Sequence, residues 1–379
     1  MTVADAAAAL AVVRLSVSEF RSYPELRLEV APRPVVLTGP NGAGKTNILE
    51  ALSFLAPGRG LRRSRLSDVA RRPAPGELSP AWAVNASLQH GRGGIDLATG
   101  RDGQSERRLV RIDGKMARSQ SMLGEWISVL WLVPAMDRLF SDGAGGRRRF
   151  LDRLVLGLDP AHAGRSSAFE HALRERSRLI REDRRDPRWF DAVEQAMARY
   201  GTAVAVARKD VVQRLNQACR QGIGAFPAAE LSLAGRLDDI LSGSEAASAE
   251  DWLRTQLSAA RRTDEAVAGP HRSDLQVLHR DKNLAATHCS TGEQKALLLS
   301  ILLAQARLQA QIRGMPPILL LDEVTAHLDG ARRAALWNEL DALGLQSWMT
   351  GTDPALFDEL GERGQFFGVA ESHVTPLLQ

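Results

Sequence analysis

Two stretches of this sequence carry residue types whose spacing suits a nucleoside triphosphate. The first is Gly39-Pro40-Asn41-Gly42-Ala43-Gly44-Lys45-Thr46, which fits G-x-x-x-x-G-K-[ST] and follows the apolar run Val35 to Thr38. Glycines in such a loop let backbone N–H groups turn inward around a β-phosphate, at the positive end of the helix that follows. Lys45 offers a point charge to the β- and γ-phosphates, and the Thr46 hydroxyl offers an oxygen to Mg²⁺. The second stretch runs from Pro317 to Glu323, an apolar segment that ends in two carboxylates. A continuous apolar run predicts a strand buried in a parallel sheet. The carboxyl end of such a strand is where open α/β sheets place their ligands. There Asp322 is set to hold Mg²⁺, directly or through water, and Glu323 to act as general base on the attacking water. ATP and Mg²⁺ are the expected cofactors.

A third element stands between them. Ser290-Thr-Gly-Glu-Gln-Lys295 opens a long apolar segment, ALLLSILLAQARL, and Asp322 follows Ser290 by 32 residues. Taken alone, Ser290 and Glu293 fit a capping box on a core helix. Ala326-His327-Leu328-Asp329 follows the second carboxylate. This order resembles that of the ABC and SMC ATPase superfamily, in which Ser290 to Lys295 would be the signature motif, and His327 and Asp329 the D-loop. The resemblance implies that Ser290, Gly292, Gln294 and Lys295 complete the nucleotide site of a second subunit. Ser290 and Gly292 would reach the γ-phosphate there, so an ATP-dependent homodimer is expected.

Three further segments narrow the resemblance. Phe20-Arg21-Ser22-Tyr23 resembles the F-[RK]-[NS]-Y element of SMC-like ATPases, which would place Arg21 near the nucleotide. Gly146 to Asp152 (GRRRFLD) and Gly269 to Leu275 (GPHRSDL) resemble elements of the RecF family, the latter with Ser273 where that family has aspartate. RecF proteins are associated with DNA gaps and junctions between single and double strands. They act there with RecO and RecR to load RecA, and they support replication restart and the SOS response. Two positions depart from the wider superfamily. No Q-loop glutamine is evident in WLVPAMD, and Thr352 stands where transporters have a switch histidine. Both departures fit weak γ-phosphate sensing and hence slow hydrolysis, and the expected activity is that of a weak, DNA-stimulated ATPase.

The elements that must position these residues can be read from hydrophobic period. Residues 11–38 predict a strand meander and then the strand before the glycine loop, and 82–89, 94–99, 108–114 and 129–133 predict more strands. From about Phe150 the period becomes helical, with one stripe at Phe169, Ala172, Leu173, Leu179 and Ile180 and another at Trp189, Val193, Ala196, Met197 and Tyr200. The Ser/Ala/Glu-rich stretch 242–250 predicts a loop, and 275–279, 317–321 and 347–350 predict strands. The expected fold is therefore α/β: an ATPase head with a mixed sheet, made of 1–150 and 266–379, and an inserted, mainly helical lobe at 151–265.

The 379 residues carry a net charge of +4, with 44% hydrophobic and 25% charged residues. A basic balance permits nucleic-acid binding. Arginines cluster at Arg59, Arg62, Arg63 and Arg65, at Arg71 and Arg72, at Arg147 to Arg149, and from Arg174 to Arg188. Acids interleave the last cluster but not residues 59–65, so Arg59, Arg62, Arg63 and Arg65 are the candidate contacts to a DNA backbone. Sequence-independent binding that weakens steeply with salt follows. Only five lysines occur, Lys45, Lys115, Lys209, Lys282 and Lys295, and two of them fall in the motifs above. Two distant cysteines, Cys219 and Cys289, argue against a zinc site or a disulfide framework. With no apolar run near the roughly 20 residues of a membrane span and no basic leader before Asp5, the expectation is a cytoplasmic protein. A transporter's nucleotide-binding subunit and another SMC-like DNA-processing ATPase are the competing readings. The first is disfavoured by FRSY and by the helical insert.

Overall fold

The structure, a computed structural model, describes residues 10–74, 76–91, 93–182, 186–261 and 268–377. The N-terminal stretch with Asp5, the middle of the Arg174–Arg188 run and the expected boundary at 265/266 lie outside the described residues. Contacts divide the chain into two units. One comprises residues 1–137, 222–227 and 291–379, and the other 138–221 and 228–290.

The first unit holds two six-stranded sheets among the described residues. In chain order its first eight strands are β1 (Ala11–Phe20), β2 (Tyr23–Glu29), β3 (Val35–Thr38), β4 (Trp82–His90), β5 (Gly93–Arg101), β6 (Leu109–Ile112), β7 (Lys115–Met116) and β8 (Val129–Leu132). Helices α1 (Lys45–Ser53) and α2 (Leu66–Val69) lie between β3 and β4. The antiparallel sheet runs β2-β1-β4-β5-β6-β7. Its strands alternate buried and exposed residues, as sheets with one wet face do.

In the second unit, helices α3 (Ala144–Leu158), α4 (His162–Arg181) and α5 (Pro187–Arg220) are followed by β9 (Ala229–Ala234). Next come α6 (Arg236–Gly243), α7 (Ala246–Ala259), β10 (Asp274–His279) and β11 (Leu284–Ala285). The chain then returns to the first unit with α8 (Thr291–Arg313), β12 (Ile318–Leu321), α9 (Gly330–Ala342), β13 (Ser347–Gly351), β14 (Gln365–Ala370) and β15 (His373–Pro376).

The second sheet of the first unit orders β15-β14-β3-β13-β12-β8 and is parallel from β14 to β8. Its central strands β3, β8, β12 and β13 are buried along their whole length, which is why they read as unbroken apolar runs. Helix α1 contacts both β1 of the first sheet and β13 of the second. Its Ile48, Leu49, Ala51 and Leu52 join Val12, Leu15, Phe20, Leu37, Leu320 and Trp348 in one core.

The second unit is built on α5 against α4 and α7, around Phe169, Met197, Ala205, Leu241, Leu253 and Leu257. It contains its own three-stranded sheet, β11-β10-β9. Its limits are wider than the 151–265 expected from helical period. The strand β10, assigned to the head from sequence, pairs with β9, and α3 packs on β10. The expected loop at 242–250 is also corrected. Helix α7 begins at Ala246, and its polar residues line the wet face while Ala249 is buried. Trp189 leaves the stripe predicted for it and is 60% exposed in the first turn of α5.

Candidate nucleotide-binding site

The glycine loop leaves the end of β3 and enters α1 at Lys45. The loop is deformed where the chain crowds it. At Gly39 (φ 150°) a Cβ would sit 2.1 Å from the Val369 carbonyl oxygen, and at Gly44 (φ 111°) it would sit 2.7 Å from Tyr23 Oη. Both positions therefore require glycine. The first turn of α1 carries neither a side-chain cap nor an acidic residue. The Asn47 N–H bonds back to the Gly44 carbonyl at 2.9 Å, and the positive end of the helix is suited to an anion. Pro40, Asn41 and Gly42 at the tip are exposed, whereas Ala43, Gly44 and Lys45 form a buried floor. Two cavities lie elsewhere, one of about 320 Å³ against the wet face of the antiparallel sheet and one of about 450 Å³ beside β10. Neither is lined by the glycine loop.

Lys45 Nζ donates to the Gly39 and Pro40 carbonyls at 2.6 and 2.8 Å. Burial pushes its pKa below the ordinary lysine value, and the charges of Glu323 and Asp322 oppose that shift. The Thr46 hydroxyl donates to Asp322 Oδ1 at 2.9 Å and lies 3.1 Å from Oδ2. A hydroxyl and a carboxylate meeting in this way are the hard oxygen donors that Mg²⁺ prefers, and the donor set fits that ion. Among the described residues no cluster of three or more His, Cys, Asp or Glu side chains forms an all-protein metal cage. Mg²⁺ usually keeps several waters and binds through one or two protein oxygens plus phosphate.

The sheet order explains how the two motifs meet. Strand β13 lies between β3 and β12, so its Thr350 sits beside both the glycine loop and the carboxylates. Thr350 is fully buried. Its hydroxyl donates to Asp322 Oδ1 at 2.7 Å and accepts the Glu323 N–H at 2.9 Å. Nothing in the sequence singles out Thr350, since Ser347 places a second hydroxyl in the same buried run of β13. Glu323 is half-buried and takes a left-handed backbone (φ 49°), as does the exposed His327 (φ 64°). Asp329 caps α9 by accepting the Arg332 N–H at 2.8 Å.

Ser290, immediately before α8, is exposed, as is Thr291 at the tip of that helix. Gly292 lies against the backbone of the loop after β12, its Cβ position 3.4 Å from the His327 carbonyl oxygen. Gln294 and Lys295 are buried, so these two cannot present themselves to another copy as expected. The apolar residues that follow them in α8 are buried all round, which draws the second turn of the helix into the core.

Arg21 is held by α1 and the segment that follows it. It donates to both carboxylate oxygens of Glu50 at 2.6 and 2.8 Å, to Ser64 Oγ at 2.6 Å and to the Asp68 carbonyl at 2.7 Å. Glu50 is 0% exposed. It also accepts Arg62 NH1 at 2.6 Å, and the same nitrogen reaches Asn47 Oδ1. Arg62 thus has the acidic partner that residues 59–65 lack, supplied by α1. The network fixes the Phe20–Tyr23 turn and the segment 61–68 to the helix behind the glycine loop. Arg59, Arg63 and Arg65 are exposed.

In the second unit the two arginine- and histidine-bearing motifs prove to be structural partners. Arg147 grips Asp274 through Nε and NH2 at 2.7 and 2.8 Å, and Arg148 donates to the Ser273 carbonyl. Arg208 grips Asp152 through Nε and NH2 at 2.8 Å each and donates to the Pro270 carbonyl.

The chain matches the family described as RecF/RecN/SMC N terminal domain over residues 11–370. It is 49% identical over 372 residues to the DNA replication and repair protein RecF of Rhizobium meliloti, with 96% of this chain and 98% of the relative covered. It is 47% identical over 374 residues to the protein of that name in Brucella suis, with 97% and 96% covered. Among solved structures it resembles one described as the recombination mediator protein RecF-ATPrS in the RecFOR pathway. That match has a TM-score of 0.82 at 19% identity and covers 98% and 99% of the two chains. An Smc head domain from Pyrococcus furiosus aligns with a TM-score of 0.56 at 14% identity over 97% and 96%.

Proposed function

The chain belongs to the RecF family, an SMC/ABC-type group of ATPases, and from that premise we propose that it is an ATP-switched DNA-binding protein of recombinational repair and replication restart. The observation that carries this reading is the convergence of three elements on one point. Thr46 from the glycine loop and Thr350 from β13 both donate to Asp322, while Lys45 lies over the loop. Thr46 and Asp322 would hold Mg²⁺, which would supply positive charge to the phosphates of the nucleotide. The first-turn N–H groups of α1 and Lys45 would take the phosphate charge. Glu323 would polarise water, and bound Mg²⁺ would draw negative charge off the transferring phosphoryl group.

Ser290 and Gly292 would meet the γ-phosphate of a second copy, since the tip of α8 is exposed. Two copies closing over two nucleotides form an ATP-dependent homodimer on gapped or junction DNA, where hydrolysis is slow and releases it. RecO and RecR are the expected partners, loading of RecA the expected outcome and the cytoplasm the expected compartment. The pathway assignment is supported by the relatives' description as DNA replication and repair proteins. DNA contact is best sought at the exposed Arg59, Arg63 and Arg65, with a salt slope that reports the phosphates neutralised.

Sedimentation of the wild type and of Ser290→Arg with Mg-ATP, with and without gapped DNA, tests the reading. The wild type should dimerise only with ATP. Ser290→Arg should bind ATP and remain a monomer. A Ser290→Arg dimer that forms like the wild type refutes the proposed arrangement.

A further inference from the structure

Lys295 does something that the superfamily resemblance did not anticipate. It is 2% exposed, and its Nζ donates to the carbonyl of Glu323 at 3.0 Å and to that of Ala326 at 2.8 Å. We propose that Lys295 is a positioning residue that ties the first turns of α8 to the peptide bearing Glu323, so that the exposed helix tip and the water-activating carboxylate are held as one piece. The inference rests on the ATPase reading and deepens it, because it assigns to the lysine a role within its own copy.

The loop it holds is one that L-residues resist. Glu323 and His327 both have positive φ, and a non-glycine residue keeps such a strained conformation only where surrounding bonds over-determine it. Thr350 holds the N–H side of Glu323, and Lys295 holds its C=O side. The second carbonyl it takes, that of Ala326, precedes His327, so one ammonium spans the turn between the two strained residues. Gly292 of the same helix also faces this loop, since a Cβ there would meet the His327 carbonyl oxygen at 3.4 Å. The tip of α8 and the loop after β12 thus meet at two points, one steric and one charged. Burying an ammonium is costly unless it is fully hydrogen-bonded. Two neutral carbonyls alone are modest compensation, and the carboxylates of Asp137, Glu323 and Asp322 add favourable charge. A methionine would fill the same volume, so what the lysine adds is the pair of directed bonds.

The test compares the full-length wild type with Lys295→Met, Lys295→Gln and Glu323→Gln, measuring binding stoichiometry and affinity for a fluorescent ATP analogue alongside turnover of Mg-ATP with gapped DNA. Lys295→Met should bind ATP as the wild type does, with kcat lowered about tenfold or more, below the ~10²–10⁴ that a positioned general base contributes. Lys295→Gln keeps a shorter donor and serves if the methionine variant melts early. It should show the same split, with a smaller loss of kcat. Wild-type turnover in both variants, while Glu323→Gln is inactive, overturns the inference. So does a parallel fall of binding stoichiometry and turnover, which marks a lysine that only supports the fold. A wild type that neither binds nor hydrolyses ATP overturns the ATPase reading, and this inference with it.

Discussion

Replacing Thr350 by valine keeps the side chain's shape and removes one hydroxyl that serves two partners. In the wild type that oxygen donates to Asp322 Oδ1 at 2.7 Å and accepts the Glu323 N–H at 2.9 Å, and the residue is fully buried. Leaving a buried polar group without its partner costs about 1–3 kcal/mol. Glu323 is half-buried, so water can reach its N–H in part and that loss falls at the low end. Asp322 retains the Thr46 hydroxyl, so its loss is also partial. Together the two give about 2–4 kcal/mol of destabilisation in the first unit. The effect on metal binding follows from orientation. Removing the partner that aims a metal-binding carboxylate typically lowers metal affinity about 10–100-fold. Titration of Mg²⁺ at fixed ATP should therefore show the half-saturating concentration raised by at least about tenfold in Thr350→Val, with urea denaturation reporting the stability loss. Thr350→Ser keeps the hydroxyl and should restore most of the Mg²⁺ response. If Thr350→Val titrates with Mg²⁺ like the wild type and unfolds at the same urea concentration, the hydroxyl does not orient Asp322 and the assigned metal-binding pair is wrong.

Gly44→Ala should abolish binding of a fluorescent ATP analogue, because its Cβ would meet Tyr23 Oη at 2.7 Å and Ser22 Oγ at 3.1 Å with φ at 111°. Adding Tyr23→Phe should recover little, since Tyr23 Cε2 remains 3.1 Å away, and normal binding by the single variant would refute the crowding. The second unit should lose stability in acid. Burial opposes ionisation of Asp152, but the bond from His162 and the charge and bonds of Arg208 outweigh it and hold its pKa down to about 2. A depressed carboxylate pKa contributes stability that is complete above the ordinary value near 4 and is lost as pH falls from there toward 2. With its side chain 30% exposed, the contribution is roughly 1–2 kcal/mol. Thermal melts of the wild type between pH 5 and 2.5 should show this loss, and Asp152→Asn should be less stable at pH 7 but flatter across that range. An equal slope in the two proteins would refute the assignment.

What the sequence made legible was whatever a local run of residues decides. The glycine loop, the apolar strands β3 and β12 and the long helix α8 each carry their instructions within a few positions. The resemblance carried the family, because motif order survives where overall identity does not. What stayed hidden were partners that only the folded chain supplies. Arg62 looked unpaired because Glu50 precedes it by 12 residues and faces it from α1. Arg147 reads in the sequence only as one of a cluster of three arginines, because its partner Asp274 lies 127 residues away. The loop expected at 242–250 failed for a different reason, since a helix whose outer face is Ser, Ala and Glu has little hydrophobic period to show. Lys295 had a signal of its own, as one of only five lysines in an arginine-rich chain and one that opens an apolar helix.

If the chain works as proposed, the hydrogen bonds of the site also bear on how ATP would act as a switch. Lys45 is already bonded to two loop carbonyls, and Thr46 is already bonded to Asp322. A triphosphate with Mg²⁺ would exchange these bonds for others, and exchanged hydrogen bonds contribute only about 0.5–1.5 kcal/mol each, net. Nucleotide affinity would then come chiefly from charge and from the closure of a second copy over the γ-phosphate. On that reading a lone copy would hold ATP with Glu323 already fixed by Thr350 and Lys295, yet without the serine of a second copy that would complete the charge stabilisation. Turnover would therefore scale with the population of closed dimers, and DNA that gathers two copies would raise that population without touching the chemistry.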